Sequence, residues 1–209
     1  MAKKFKKLAP YMYAVVADTT QELGKLFLRF QEYYEGPEFK GKVFTLDEFK
    51  PWYQTSRSAS SFTYYDDWSG FNIPGTAVEF VARNFKNLSD DEKWLIDHIK
   101  KEKLEKKYYV IGYEKGAHGT MKHEIAHAMF YLKPIYRAKV GQILFKNEKL
   151  LSKLGKHLLD MGYNESVIED EKHAYLLANR DFLKENKLWK KQFDMISRQI
   201  GNLFEEYGE

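Results

Sequence analysis

With 209 residues, 44% of them hydrophobic, and with 15 Tyr, 15 Phe and 4 Trp, the chain can bury a substantial core, which argues against disorder and for a single domain over 1–209. It contains no Cys, which excludes disulfides, thiolate catalysis and cysteine-type zinc fingers and leaves any metal to His, Asp, Glu or water. The 34 basic and 30 acidic residues interleave to a net +4, and the lysine-rich run from 100 to 107 is broken by Glu102 and Glu105, so a solvated surface is expected rather than a nucleic-acid face.

At the N-terminus, Lys3, Lys4, Lys6 and Lys7 give a basic start, but the apolar part that follows is short and interrupted by tyrosines, unlike a signal peptide. No apolar run approaches the roughly 18 to 20 residues of a membrane helix. A cytoplasmic protein with no membrane partner is therefore expected. "YMYAVVA", 11 to 17, reads as a strand, and "TTQELGKLFLRFQEYYEG" as an amphipathic helix ending near Gly36-Pro37. "GKVFTLDEFKPWY" suggests an extended segment interrupted at Pro51, and "SRSASSFTYYDDWSGFNIPG" a long aromatic loop with a short strand in "SFTYY". The paired Asp66 and Asp67 with Trp68 and Phe71 suit either a cleft lining or an ordinary packed loop.

Ser89 and Glu92 have capping-box spacing, which predicts a helix from about 90 to 105. "KKYYVIGYE" reads as a strand and "KGAHG" as a turn. From residue 120 onward the pattern is almost wholly helical, with breaks at Lys133-Pro134, at Gly162 and in "NRDFLKENK", before a last helix at about 188 to 207. The expected class is α+β, a small mixed sheet from the N-terminal half packed on a helix-rich C-terminal half.

The chemistry concentrates in "TMKHEIAHAMFYL", 120 to 132. Residues four apart share a helix face, so His123 and His127 can aim both imidazoles at one ion while Glu124 leans toward water on that ion. This is the content of H-E-x-x-H: two nitrogen ligands and a carboxylate base. Ile125, Ala126, Ala128, Met129 and Phe130 make the helix apolar on several faces, and buried histidines beside a buried glutamate are costly without a partner. An ordinary helix with two histidines is the plain alternative. A di-iron bundle would need a second E-x-x-H, which the chain lacks, and no G-x-S-x-G elbow supports a serine hydrolase.

"YYVIGYEKGAHGTMKHEIAHAMFYL" resembles the strand, turn and active-site helix of the zincin metallopeptidases. The resemblance implies a Zn2+-dependent hydrolase with His123 and His127 as ligands and Glu124 as general base. It also implies an edge strand, here around Tyr108 to Tyr113, holding an extended peptide along Tyr109, Ile111 and Tyr113. "AMFYLKPIYR" lacks the Gly and His of the metzincin extension. In gluzincins the third ligand is a glutamate on a later helix with a small residue three positions on, and Glu171 with Ala174 fits. "EDEKHAYLLA" also resembles the acidic second motif of small bacterial and phage zincin-like proteins, including the ImmA/IrrE-like group. Glu165, Glu169, Asp170 and His173 are rivals for the ligand role, although Glu169 and His173 lie on other sides of the helix from Glu171.

Where thermolysin-like gluzincins place an Asp that orients a zinc histidine, this chain has Tyr175, so the orienting partner must come from elsewhere, such as Asp170 or a backbone carbonyl. Tyr175 is either an oxyanion stabiliser or a core tyrosine with a satisfied hydroxyl. His118, in a glycine turn, is either a further donor or simply exposed. The function expected is peptide-bond hydrolysis by metal-activated water, with a peptide or protein as the partner. The alternative is a catalytically silent zincin-fold protein acting as a regulatory or partner-binding module.

Overall fold

The computed structural model describes residues 3–103 and 107–208. The residues group into two compact units, Met1–Ala117 and His118–Glu209. The class is α+β, with a small mixed sheet in the N-terminal half and helices in the C-terminal half.

In the first unit, β1 (Lys4–Ala9) and β2 (Met12–Ala17) form an antiparallel hairpin. β2 is buried along its whole length, whereas β1 is mostly exposed. The lysines of "KFKKLA", legible only as a basic start, suit an edge strand because charge there discourages pairing with another chain. Helix α1 (Thr20–Glu35) opens on the Thr19 hydroxyl, which accepts from the Glu22 amide. It buries Leu23, Leu26, Phe27 and Phe30.

Helix α2 (Leu46–Ser56) lies where an extended segment is expected. Thr45 and Glu48 close a capping box, and Phe49 and Tyr53, one turn apart, bury their rings in an aromatic cluster. That burial offsets the amide hydrogen bond that Pro51 cannot make inside the helix. The expected long loop also holds structure: the one-turn helix α3 (Tyr64–Asp67) and strand β3 (Gly70–Pro74), which sends Phe71 and Ile73 into the core. Helix α4 (Gly75–Asn84) follows directly. The predicted capping box of Ser89 and Glu92 is present at the start of α5 (Asp90–Lys101). Residues 104 and 105 of the expected helix lie outside the described residues.

Strand β4 (Tyr109–Glu114) pairs parallel with β2 and antiparallel with β3, giving the order β1-β2-β4-β3. The expected edge strand is thus an interior one. Both of its hydrogen-bonding sides are taken, and Tyr109, Ile111 and Tyr113 are 1%, 0% and 7% exposed, so these three residues cannot hold an added peptide strand. Gly112 leaves a slot for α1, since a Cβ there would lie 2.4 Å from the Phe27 ring.

The second unit is a bundle of α6 (His118–Leu132), α7 (Pro134–Lys146), α8 (Glu148–Asp160), α9 (Ile168–Ala178), α10 (Arg180–Glu185) and α11 (Phe193–Gly208). Pro134 opens α7, where its missing N–H costs nothing. Gly162, at φ +100, ends α8 with the left-handed turn that side chains disfavour. Helix α9 packs against α6, α7, α8, α10 and α11, so it is the centre of the bundle. Among the described residues no helix is long and apolar enough to cross a membrane.

Candidate metal centre

Helix α6 buries His123, Glu124, Ala126, His127, Ala128 and Met129, so its histidines face the bundle rather than water. The helix they meet is α9, whose Glu171 and Ala174 are buried and whose Glu169 is exposed. Ala174, one turn after Glu171, is fully buried.

His123, His127 and Glu171 come together. The two Nε2 atoms are 3.0 Å apart, His127 Nε2 is 3.5 Å from Glu171 Oε1, and His123 Nε2 is 3.7 Å from Glu171 Oε2. One donor atom from each residue lies within 4.8 Å of the others. A tetrahedral ion with bonds of about 2.0 to 2.2 Å sets its ligand atoms about 3.3 to 3.6 Å apart, so the cluster has the size that such an ion requires.

The outward nitrogens are both engaged. His123 Nδ1 lies 2.6 Å from Asn179 Oδ1, and His127 Nδ1 lies 3.0 Å from Asp170 Oδ1. An Nδ1 that donates to an oxygen leaves Nε2 as the ligating lone pair. Two such lone pairs at 3.0 Å repel unless a positive charge, a proton or a metal ion, stands between them. Burial pushes His127 down, but the Asp170 and Glu171 carboxylates overrule it and hold this imidazole well above the usual histidine range. Burial likewise pushes Asp170 up, and the His127 charge overrules it, holding the carboxyl down at about 2. Glu171 Oε2 is a buried acceptor without a hydrogen-bond partner. Leaving such an atom unpaired costs on the order of 1 to 3 kcal/mol or more.

Of the rival ligands, Asp170 turns to the outer nitrogen of His127, the place that an orienting partner would take. His173 is fully buried away from the cluster, between Asp170 at 3.4 Å and the Tyr136 hydroxyl at 2.7 Å. Glu165 and Glu169 are exposed, as is His118 on the first turn of α6.

Glu124 is buried. Its charge acts on His127 and on the phenols of Tyr163 and Tyr175. The Tyr175 ring meets His123 edge-on at 5.1 Å, and its hydroxyl lies 3.2 Å from that of Tyr163. Burial, with the charges of Glu171 and Glu124, pushes Tyr175 up to about 12, so this phenol stays a donor at neutral pH.

Asn179 and Tyr163 escape sequence reasoning. Asn179 follows the last residue of α9, where Asn is an ordinary helix terminator, and Tyr163 follows the Gly162 stop. Nothing local marks either as part of a site.

No protein-family model, curated protein or solved structure matches this chain.

Proposed function

We propose that His123, His127 and Glu171 hold a divalent metal ion, zinc by the chemistry of two imidazoles and a carboxylate, and that the protein is a zincin-type metallopeptidase. The observation that supports this best is the pair of inward Nε2 atoms with both Nδ1 atoms engaged, facing a buried Glu171 oxygen that has no other partner. The absence of cysteine fits a reducing, cytoplasmic setting.

A bound ion supplies Lewis acidity to the reacting oxygen. The chain's own residues supply the rest. Asn179 and Asp170 fix the two imidazole tautomers. Glu124, one residue from His123, accepts the proton of the attacking water and delivers it to the leaving amine as the peptide C–N bond breaks. The Tyr175 phenol donates toward the developing oxyanion.

Purified without chelator, the protein is expected to carry one zinc per chain by elemental analysis, and Glu124→Gln to keep that zinc while losing about 10²- to 10⁴-fold in peptide hydrolysis. Metal-free protein with intact folding would sink the proposal. A second reading, a silent zincin-like module that binds a partner, is favoured by the interior position of β4, which removes the peptide-holding edge that the family resemblance implies. Wild-type protein that holds zinc but cleaves no peptide in a broad peptide library would select it.

A further inference from the structure

A second cleft, of ≈ 530 Å³ and open to solvent, lies at the far end of α9 between its last turn and the start of α11. Its lining includes Leu176, Trp189, Arg180, Asp194, Ser197 and Arg198. Leu176 is five positions after Glu171, about 140° round the helix, so this cleft lies on another face of α9 from the candidate metal centre.

Several of the lining residues are tied to one another. The Arg180 guanidinium lies over the Trp189 ring at 4.9 Å and pairs with Asp194 at 2.6 Å. The Ser197 hydroxyl donates to the Leu176 carbonyl at 2.8 Å, which ties α11 to the end of α9 and leaves that hydroxyl committed. One lining residue is not committed: Arg198 is exposed and has no ion-pair partner among the described residues. Two guanidinium groups against one carboxylate leave one positive charge in excess. The planar fork of an arginine matches a carboxylate through two parallel hydrogen bonds, and a half-buried indole beside a buried leucine offers contact to an apolar group.

We infer that this cleft binds a carboxylate flanked by an apolar group, with Arg198 as its principal anchor and Trp189 as its apolar platform. Two sources share that chemistry: the C-terminus of a peptide ending in an apolar residue, and a small free carboxylic acid. The site is independent of the proposed metal centre and stands or falls without it.

Calorimetric titration of the full chain tests this. The probes are an acetylated pentapeptide ending in leucine, the same peptide amidated, and N-acetylleucine. The free-acid peptide is expected to bind about 10- to 100-fold tighter than the amide, with the preference lost in Arg198→Met and partly kept in Arg198→Lys. N-acetylleucine as tight as the pentapeptide assigns the site to a small acid, and weaker binding assigns it to a peptide terminus; both outcomes support the inference. Equal binding of acid and amide, no binding at millimolar concentration, or an unchanged preference in a folded Arg198→Met protein overturns it.

Discussion

Two buried glutamates of this chain, Glu92 and Glu171, are each 3% exposed and sit in the first turn of a helix, yet they differ in how their charge is met. Glu92 is closed. Arg29 donates to both its oxygens, from Nε to Oε1 at 2.6 Å and from Nη2 to Oε2, and the Ser89 amide adds a third bond at 2.7 Å. Two further Arg29 hydrogens reach the Lys86 and Asn87 carbonyls, each at 3.2 Å. Glu171 meets only two imidazoles, whose protons, unlike the fixed charge of a guanidinium, can give way to a metal ion, and one of its oxygens has no hydrogen-bond partner. A permanent cation beside a buried carboxylate holds a fold together, whereas imidazoles beside one leave room for a cation that comes and goes.

The sharpest way to break this comparison is to remove the partner on the closed side. Arg29→Met leaves Glu92 buried and unpaired and is expected to cost about 3 to 5 kcal/mol in urea unfolding, with no change in zinc content measured on whatever protein remains folded. Glu171→Gln should do the reverse, losing the zinc while costing the metal-free protein less than Arg29→Met does. Equal losses of stability would mean that Glu171 is as structural as Glu92.

A third buried glutamate sharpens the contrast. Glu32 on α1 has an oxygen without a hydrogen-bond partner and no arginine clasp like that of Glu92. Burial pushes its carboxyl up to about 7, with Tyr64 and Arg57 offsetting this only in part. The unfolded group ionises near its ordinary 4.5, so between that pH and about 7 the folded state binds more protons. Stability therefore falls as pH rises through that window and is flat above it. The gap corresponds to roughly 3 kcal/mol. Glu32→Gln is expected to raise stability at pH 8 by about that amount and to flatten the pH dependence of unfolding. An unchanged slope would show that Glu32 ionises normally in the folded protein.

The smallest effect tests how the open site is aligned. Asn179→Ala removes the acceptor on His123 Nδ1 without touching a proposed ligand, and zinc affinity in competition with a chelator is expected to fall about 10- to 100-fold. Wild-type affinity in this variant would mean that the α6 backbone alone orients the imidazole.

Much of this architecture is legible along the chain where the cause is local. The Ser89 capping box, the Pro134 start and the Gly162 stop each act within one helical turn, and each appears where the sequence places it. Segments set by distant partners read poorly. "TLDEFKPWY" becomes helix because Phe49 and Tyr53 find an aromatic core contributed by α1, α3 and β3. "GFNIP" becomes a strand because β4 offers it a ladder. The same contrast divides the site. The spacing of His123 and His127 is visible because four residues make about one turn, and Glu171 is visible only through a family pattern.

The sequence by itself determined the class of the fold, the absence of thiol chemistry and the shared helix face of His123 and His127, because composition and helical periodicity act at short range. Only the tertiary structure decided that Glu171 rather than Glu169 or His173 turns toward those histidines, and that Asp170 and Asn179 engage their outer nitrogens. It alone placed β4 inside the sheet rather than at its edge. The physical reason is common to all three: which hydrogen-bonding side of a strand is taken, and which face of α9 meets α6, depends on packing between elements far apart in the chain.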